Sequence, residues 1–198
     1  MRSGIVFVAT VTLLGCGDSV SPAGNGEQPP TVLQIAFMSE RDGNAEIYII
    51  NSDGSGLTNL TNHAAIDAEP VWSPDGSKIA FQSRRDGNGD IWVMNADGSN
   101  QRQVTDLGGA SFAPFFHPDG RRIIFSSNHA DVQSGRDFNL FLVDLDGSNL
   151  TQVTTHGEFD GFPMFSPDGT KLVFAANRYG TVPGETNIFI VDWVEPDR

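Results

Sequence analysis

Histidine and aspartate recur four residues apart at His63 and Asp67, and again at His156 and Asp160. Two carboxylates facing one another across a channel can do acid–base work on a sugar. The copy of the pattern that lies between them has Leu107 and Ser111 in those places, so the spacing fits a solvated rim as well as it fits chemistry. Nucleophilic and zinc chemistry lack their parts: no Gly-x-Ser-x-Gly elbow, His-Glu-x-x-His or Cys-x-x-Cys occurs. Asp86-Gly87-Asn88-Gly89-Asp90 sets oxygen ligands at alternate positions, which suits calcium. A full loop of that type needs Gly where Ile91 stands and a Glu six residues later. No catalytic residue, metal or cofactor is assigned, and the expectation is a chain that is not an enzyme.

Cys16 is the lone cysteine, so no disulfide forms within the chain. Met1-Arg2 gives a short positive start, and the uncharged run from Gly4 to Leu14 is too short to span a bilayer, as in a secretory signal. Leu13-Leu14-Gly15-Cys16 resembles a bacterial lipobox, which implies acylation of Cys16. Residues 1–15 then form a lipoprotein signal peptide. Residues 16–30 form the lipidated cysteine and a flexible Gly/Ser/Pro tether, and residues 31–198 the folded part. Gly17 lacks the Asp that favours inner-membrane retention. The expected location is the bacterial cell envelope: lipid-anchored at the outer membrane, facing the periplasm, or at the cell surface. Twelve basic against 25 acidic residues, a net charge of −13, argue against nucleic acid and leave the lipid anchor as the only membrane contact.

The elements that would position these residues are repeats. Copies beginning at Gln34, Lys78, Arg122 and Lys171 follow one another at 44, 44 and 49 residues. Between them recur Pro-x-aromatic pieces, "PVWSPDG", "PFFHPDG" and "PMFSPDG". Each unit reads as four antiparallel strands: the Pro-x-aromatic piece, then a run such as Lys78–Ser83, then one such as Asp90–Met94, then a short alternating strand such as Gln101–Thr105. Ser-Pro-Asp-Gly and Asn-x-Asp-Gly-Ser make the turns. The two central strands are apolar without alternation, so neighbours must cover both faces, whereas the last has one wet face. Sheets covered on both faces and stacked around an axis make a propeller.

Pro70-x-Trp72-Ser73-Pro74-Asp75-Gly76-x-x-Ile79-Ala80-Phe81, with Arg85-Asp86-Gly87-Asn88 and the segment Ile91 to Ser99, resembles the WD40-like (PD40) repeat of TolB-type propellers. The resemblance covers about residues 31 to 194. It implies an all-β fold of four-stranded blades, of the kind that forms six-bladed periplasmic propellers or precedes hydrolase domains in prolyl oligopeptidase relatives. Here the first unit lacks its first strand and the fourth its last. About four blades of three, four, four and three strands are expected, fourteen strands in all. Three arrangements stay open: a small four-bladed ring with gaps, an open arc that pairs with a second copy, or the remnant of a longer gene. Trp193 is expected to cover an open edge.

Chain direction alternates along a blade, so the variable connections gather on one face. Ligand or partner binding is expected there, near the axis, at His63, Asp67, Arg84, Arg85, Asp86, His156, Asp160, Arg178 and Tyr179. The resemblance implies a non-catalytic scaffold with an envelope protein partner. A sugar or peptide receptor at the channel mouth and a hydrolase are the alternatives, and open blade edges invite self-association.

Overall fold

A computed structural model describes residues 10–11, 32–133, 135, 137–155, 157, 159–180, 182 and 185–196. Cys16, the expected tether and His156 lie outside the described residues, as does the expected signal apart from Thr10 and Val11. The first sheet orders β1 (Thr10–Val11), β2 (Gln34–Ser39), β3 (Glu46–Asn51) and β4 (Thr58–Asn59) side by side. The second comprises β5 (Asp67–Trp72), β6 (Lys78–Ser83), β7 (Asp90–Asn95) and β8 (Arg102–Gln103). The third comprises β9 (Ser111–Phe116), β10 (Arg122–Ser127), β11 (Asn139–Asp144) and β12 (Thr151–Gln152). The fourth has β13 (Asp160–Phe165), β14 (Lys171–Ala176) and β15 (Asn187–Asp192). Every pairing is antiparallel, and one 3₁₀ turn, His129–Asp131, interrupts the β structure.

Among the described residues fifteen strands stand where fourteen were expected, because Thr10 and Val11 pair with Ala36 and Ile35 and give the first blade a fourth strand. The Pro-x-aromatic strands begin three residues before their proline, at Asp67, Ser111 and Asp160. Residue 69, 113 or 162 sits in the left-handed region at a register shift, and the pairing resumes on its N-terminal side.

The Ser-Pro-Asp-Gly turns of the second and fourth blades close in the same way. The Gly76 amide donates to the Ser73 carbonyl at 2.9 Å, while Asp75 Oδ1 accepts from the Ser73 hydroxyl at 2.6 Å and the Ser77 amide at 3.0 Å. Those bonds hold the Asp75 carboxyl at about 2, and Asp168 in the fourth blade behaves the same way. In the Asp-Gly hairpin at the same end of the third blade, Gly147 has φ +86, and a Cβ there would lie 2.8 Å from the Val104 carbonyl of the preceding blade. Only glycine fits both the torsion and the approach.

Burial is greatest between blades. Ala36, Ile47, Ile49, Leu60, Trp72, Ile79, Phe81 and Met94 form the core between the first and second. Val71, Ala80, Ile91, Val93, Phe116, Phe125 and Phe141 fill the next interface, and Ile124, Leu140, Leu142, Phe165, Leu172 and Phe174 the last. The central strands of the two middle blades are therefore dry on both faces. The fourth blade departs from the expectation of fully covered central strands. On β15, Ile188 is 70% and Ile190 66% exposed, and Phe162 and Met164 on β13 are also exposed, because no fifth sheet stacks there among the described residues.

Trp193 also sits elsewhere than expected. Its ring packs against Phe165 at 4.8 Å and His117 at 5.9 Å, between the third and fourth blades, rather than over an edge. Glu195 follows it onto Arg122 of the third blade, with Oε2 2.6 Å from Nη1. That bond holds the Glu195 carboxyl at about 2.

Phe125 is fully buried between the second and third blades. Phe125→Ala should cost about 3–5 kcal/mol in urea unfolding, with the m-value unchanged. Carboxyls held low by native bonds stabilise the fold above their ordinary range and lose that contribution as pH falls toward 2. Stability should therefore drop between about pH 4 and 2, and the Asp75→Asn/Asp168→Asn double variant should be weaker at pH 7 but flatter across that window.

Candidate functional site

The connections between the second and third strands of each blade and those that lead from one blade to the next meet on one face, as the alternating chain direction requires. Asn44 Nδ2 donates to the carbonyls of His63 at 2.8 Å and Ala65 at 2.9 Å, tying one loop type to the other. The Ser111 amide donates to the Gly89 carbonyl at 2.8 Å between neighbouring blades.

Of the residues expected to bind, the structure brings two pairs together and buries them. Asp67 is fully buried and bonds Arg85, with Nη2 2.7 Å from Oδ2. Asp160 is likewise fully buried and takes both arms of Arg178, with Nε at 3.0 Å from Oδ1. Each arginine also lies over the aromatic rings of its blade. Arg85 is 5.8 Å from the Phe81 centroid and 4.8 Å from that of Trp92, and Arg178 is 5.5 Å from Phe174. These contacts stack the guanidinium while its charge stays paired.

The arrangement is a repeat that the motif reading missed. Arg41 in the first blade lies 5.4 Å from Phe37 and 4.7 Å from Tyr48. His129 takes the place in the third, 4.2 Å from Phe141, and burial lowers its pKa so that the neutral ring is favoured. The signal was present in the spacing of Arg41, Arg85, His129 and Arg178, which follows the repeat interval. His63, Arg84 and Asp86 stay exposed on the rim, and Tyr179 is 89% exposed. His63 bonds within the loops: its amide donates to Glu46 Oε1 at 2.8 Å, and its ring Nδ1 accepts from the Ala65 amide at 3.0 Å.

Two further features lie nearer the axis. Glu69 on β5 reaches to the inner strand of the next blade, where its Oε2 accepts the Ala113 amide at 2.6 Å. Burial raises its pKa, against which the Ala113 bond and the Arg84 charge both act. Beside it, four phenylalanines gather where the loops of the third and fourth blades meet. Phe112 lies 5.1 Å from Phe138, 6.3 Å from Phe159 and 5.5 Å from Phe162, and Phe159 lies 6.2 Å from Phe138. Phe162 is 54% exposed and the other three are half-buried.

This patch breaks the repeat instead of following it. Phe112 stands where other copies carry Ala68 and Gly161, and Phe162 where they carry Glu69 and Ala113. Gly161 makes room for it, since a Cβ there would lie 2.4 Å from the Phe159 ring. An exposed aromatic cluster with paired charges around it is suited to gripping an apolar side chain. The two carboxylates that sequence spacing offered for acid–base work are instead held in ion pairs.

The model of the TolB beta propeller domain family, PD40, matches residues 20–110 and 99–193, more than half of the chain. The Tol-Pal system protein TolB of Geobacter sulfurreducens is 37% identical over 59 residues, covering 30% of this chain and 14% of that protein. A TolB structure from Agrobacterium tumefaciens superposes with a TM-score of 0.69 at 26% identity, over 80% of this chain and 57% of that one. TolB from Acinetobacter baumannii gives a TM-score of 0.68 at 22% identity, over 80% of this chain and 38% of that one, a likeness of fold. The matched region thus spans less than two thirds of any of these three relatives.

Breaking a buried ion pair strands the remaining charge. Arg85→Ala should therefore destabilise the protein by about 3 kcal/mol or more. Arg84→Ala, one residue away on the exposed rim, should change stability by no more than about 0.5 kcal/mol. Parallel thermal and urea melts of the two variants check the contrast.

Proposed function

The chain belongs to the TolB beta propeller domain family, and from that premise we propose that it is a non-catalytic scaffold that binds an envelope protein on its loop face. One observation carries this reading: the half-exposed cluster of Phe112, Phe138, Phe159 and Phe162 at the inner end of that face. Side chains of this size anchor protein interfaces when they sit in a rigid frame, and the stacked blades supply one. His63, Arg84, Asp86 and Tyr179 form the polar rim of that face. Arg85 and Arg178, tied to Asp67 and Asp160, hold the loops in place.

A lipid on Cys16 keeps the scaffold at the outer membrane of a bacterial envelope, facing the periplasm. The charged start, apolar run and Leu13-Leu14-Gly15-Cys16 support this placement. Anchoring by several acyl chains sums about 0.8 kcal/mol per buried methylene. Processing before Cys16 also removes β1 and leaves the inner edge of β2 free.

Two experiments test the proposal. Phe162 sits at φ +55, a conformation asparagine tolerates, so Phe162→Asn removes the aromatic anchor without straining the strand. Affinity capture from detergent-solubilised envelopes should retrieve a reproducible partner, with affinity reduced about tenfold or more for Phe162→Asn. A partner bound equally by both forms contradicts the loop-face site. Thermal shifts produced by sugars or short peptides and lost in Phe162→Asn would favour the small-ligand reading. On expression in a bacterium, the chain should enter the detergent phase on Triton X-114 partitioning and Cys16→Ser should stay in the aqueous phase. Equal partitioning of the two would rule out the anchor.

A further inference from the structure

The first three blades end in a short outer strand, and each fastens it with the same three contacts. In the second blade the Ile91 amide donates to the Thr105 hydroxyl at 2.9 Å, and that hydroxyl donates to Asp90 at 3.0 Å. The Val104 amide donates to the Ile91 carbonyl at 2.8 Å. The first blade repeats this with Ile47, Thr61, Glu46 and Leu60, and the third with Leu140, Thr154, Asn139 and Val153. The apolar residue before the threonine then turns toward the next blade. Leu60 joins the core formed with Trp72, and Val104 packs with Ile91 and Val93.

The fourth blade carries the receiving half of this device without an outer strand among the described residues. Ile188 pairs with Ala175 as Ile91 pairs with Gln82, so its amide and carbonyl point away from β14. Asn187 precedes it, in the place held by Glu46, Asp90 and Asn139. The surface on which an apolar residue would land is Ile188 and Ile190, 70% and 66% exposed. The chain's own path leads elsewhere: the Trp193 amide bonds the Thr170 carbonyl at 2.8 Å, and Glu195 is held by Arg122 on the third blade.

We propose that the outer edge of β15 is a docking site for an extended segment of a partner protein carrying a Leu-Thr or Val-Thr pair. The threonine hydroxyl takes the Ile188 amide and the Asn187 side chain. The residue before it pairs with the Ile188 carbonyl and covers Ile188 and Ile190. Strand addition of this kind draws affinity from backbone bonds and selectivity from alternate side chains. The site goes beyond the loop-face reading and does not depend on it.

A labelled peptide copying residues 56–62, Gly-Leu-Thr-Asn-Leu-Thr-Asn, titrated into the full chain by fluorescence anisotropy, tests it. Saturable binding is expected. The peptide with its second threonine replaced by valine should bind about fivefold or more weakly, the factor expected for one hydrogen bond. A peptide with proline in place of its second leucine should not bind. Ile188→Lys, at an exposed position, should leave the melting temperature unchanged and abolish binding. Hydrogen exchange should show added protection on residues 187–191. No saturation at millimolar peptide, indifference to the valine replacement, or protection falling on β3 instead would overturn the proposal. So would a dimer by light scattering that Ile188→Lys converts to monomer, since the edge then belongs to a second copy.

Discussion

The structure rests on a constraint of solvation. A strand pair such as β10 and β11 is apolar on both faces, and a sheet alone can hide neither. Phe125 and Phe141 dry one side against the second blade, while Ile124, Leu140 and Leu142 dry the other against the fourth. At roughly 25 cal/mol per Å² of apolar surface, this stacking is the main force holding the blades in order. The turns, glycines and inner-strand bulges serve it by keeping neighbouring sheets close enough to exclude water.

Function follows from what the stacking leaves over. With strands alternating in direction, the variable loops collect at one end, on a frame rigid enough to hold an aromatic patch in a fixed shape. A recurring side chain over each blade's rings, arginine in three blades and the neutral His129 in the third, secures those loops. Where a buried aspartate is also present, as at Asp67 and Asp160, the charge is paired and the side chain belongs to the frame. The same logic marks the fourth blade as different. Its central strand carries the sequence of a covered strand but stands uncovered on one face and along one edge, so its isoleucines face water.

Much of this was legible in the sequence because a repeat writes its structure several times. The strands, turns and stacking could be read from Lys78–Ser99 and then checked against the other copies. Four things were not legible. Thr10 and Val11 lie outside the repeat, so no other copy marks them as a strand. Trp193 looked like a cover for an edge, yet it holds the position that Ala96 and Leu145 hold elsewhere, packed between neighbouring blades. Exposed-looking Asp67, Arg85, Asp160 and Arg178 read as rim because periodicity reports which face a residue occupies, and long side chains fold back across it. The phenylalanine patch was hidden for the opposite reason: it lies where the copies disagree, and a search for agreement passes over it.

Amide hydrogen exchange on the full chain tests the stacking most directly. If dry faces on both sides hold the blades together, the slowest amides will be those of β6, β7, β10 and β11, with β14 and β15 exchanging faster despite their equally apolar sequences. Equal protection across all four blades, or the fastest exchange in β10 and β11, would contradict the account.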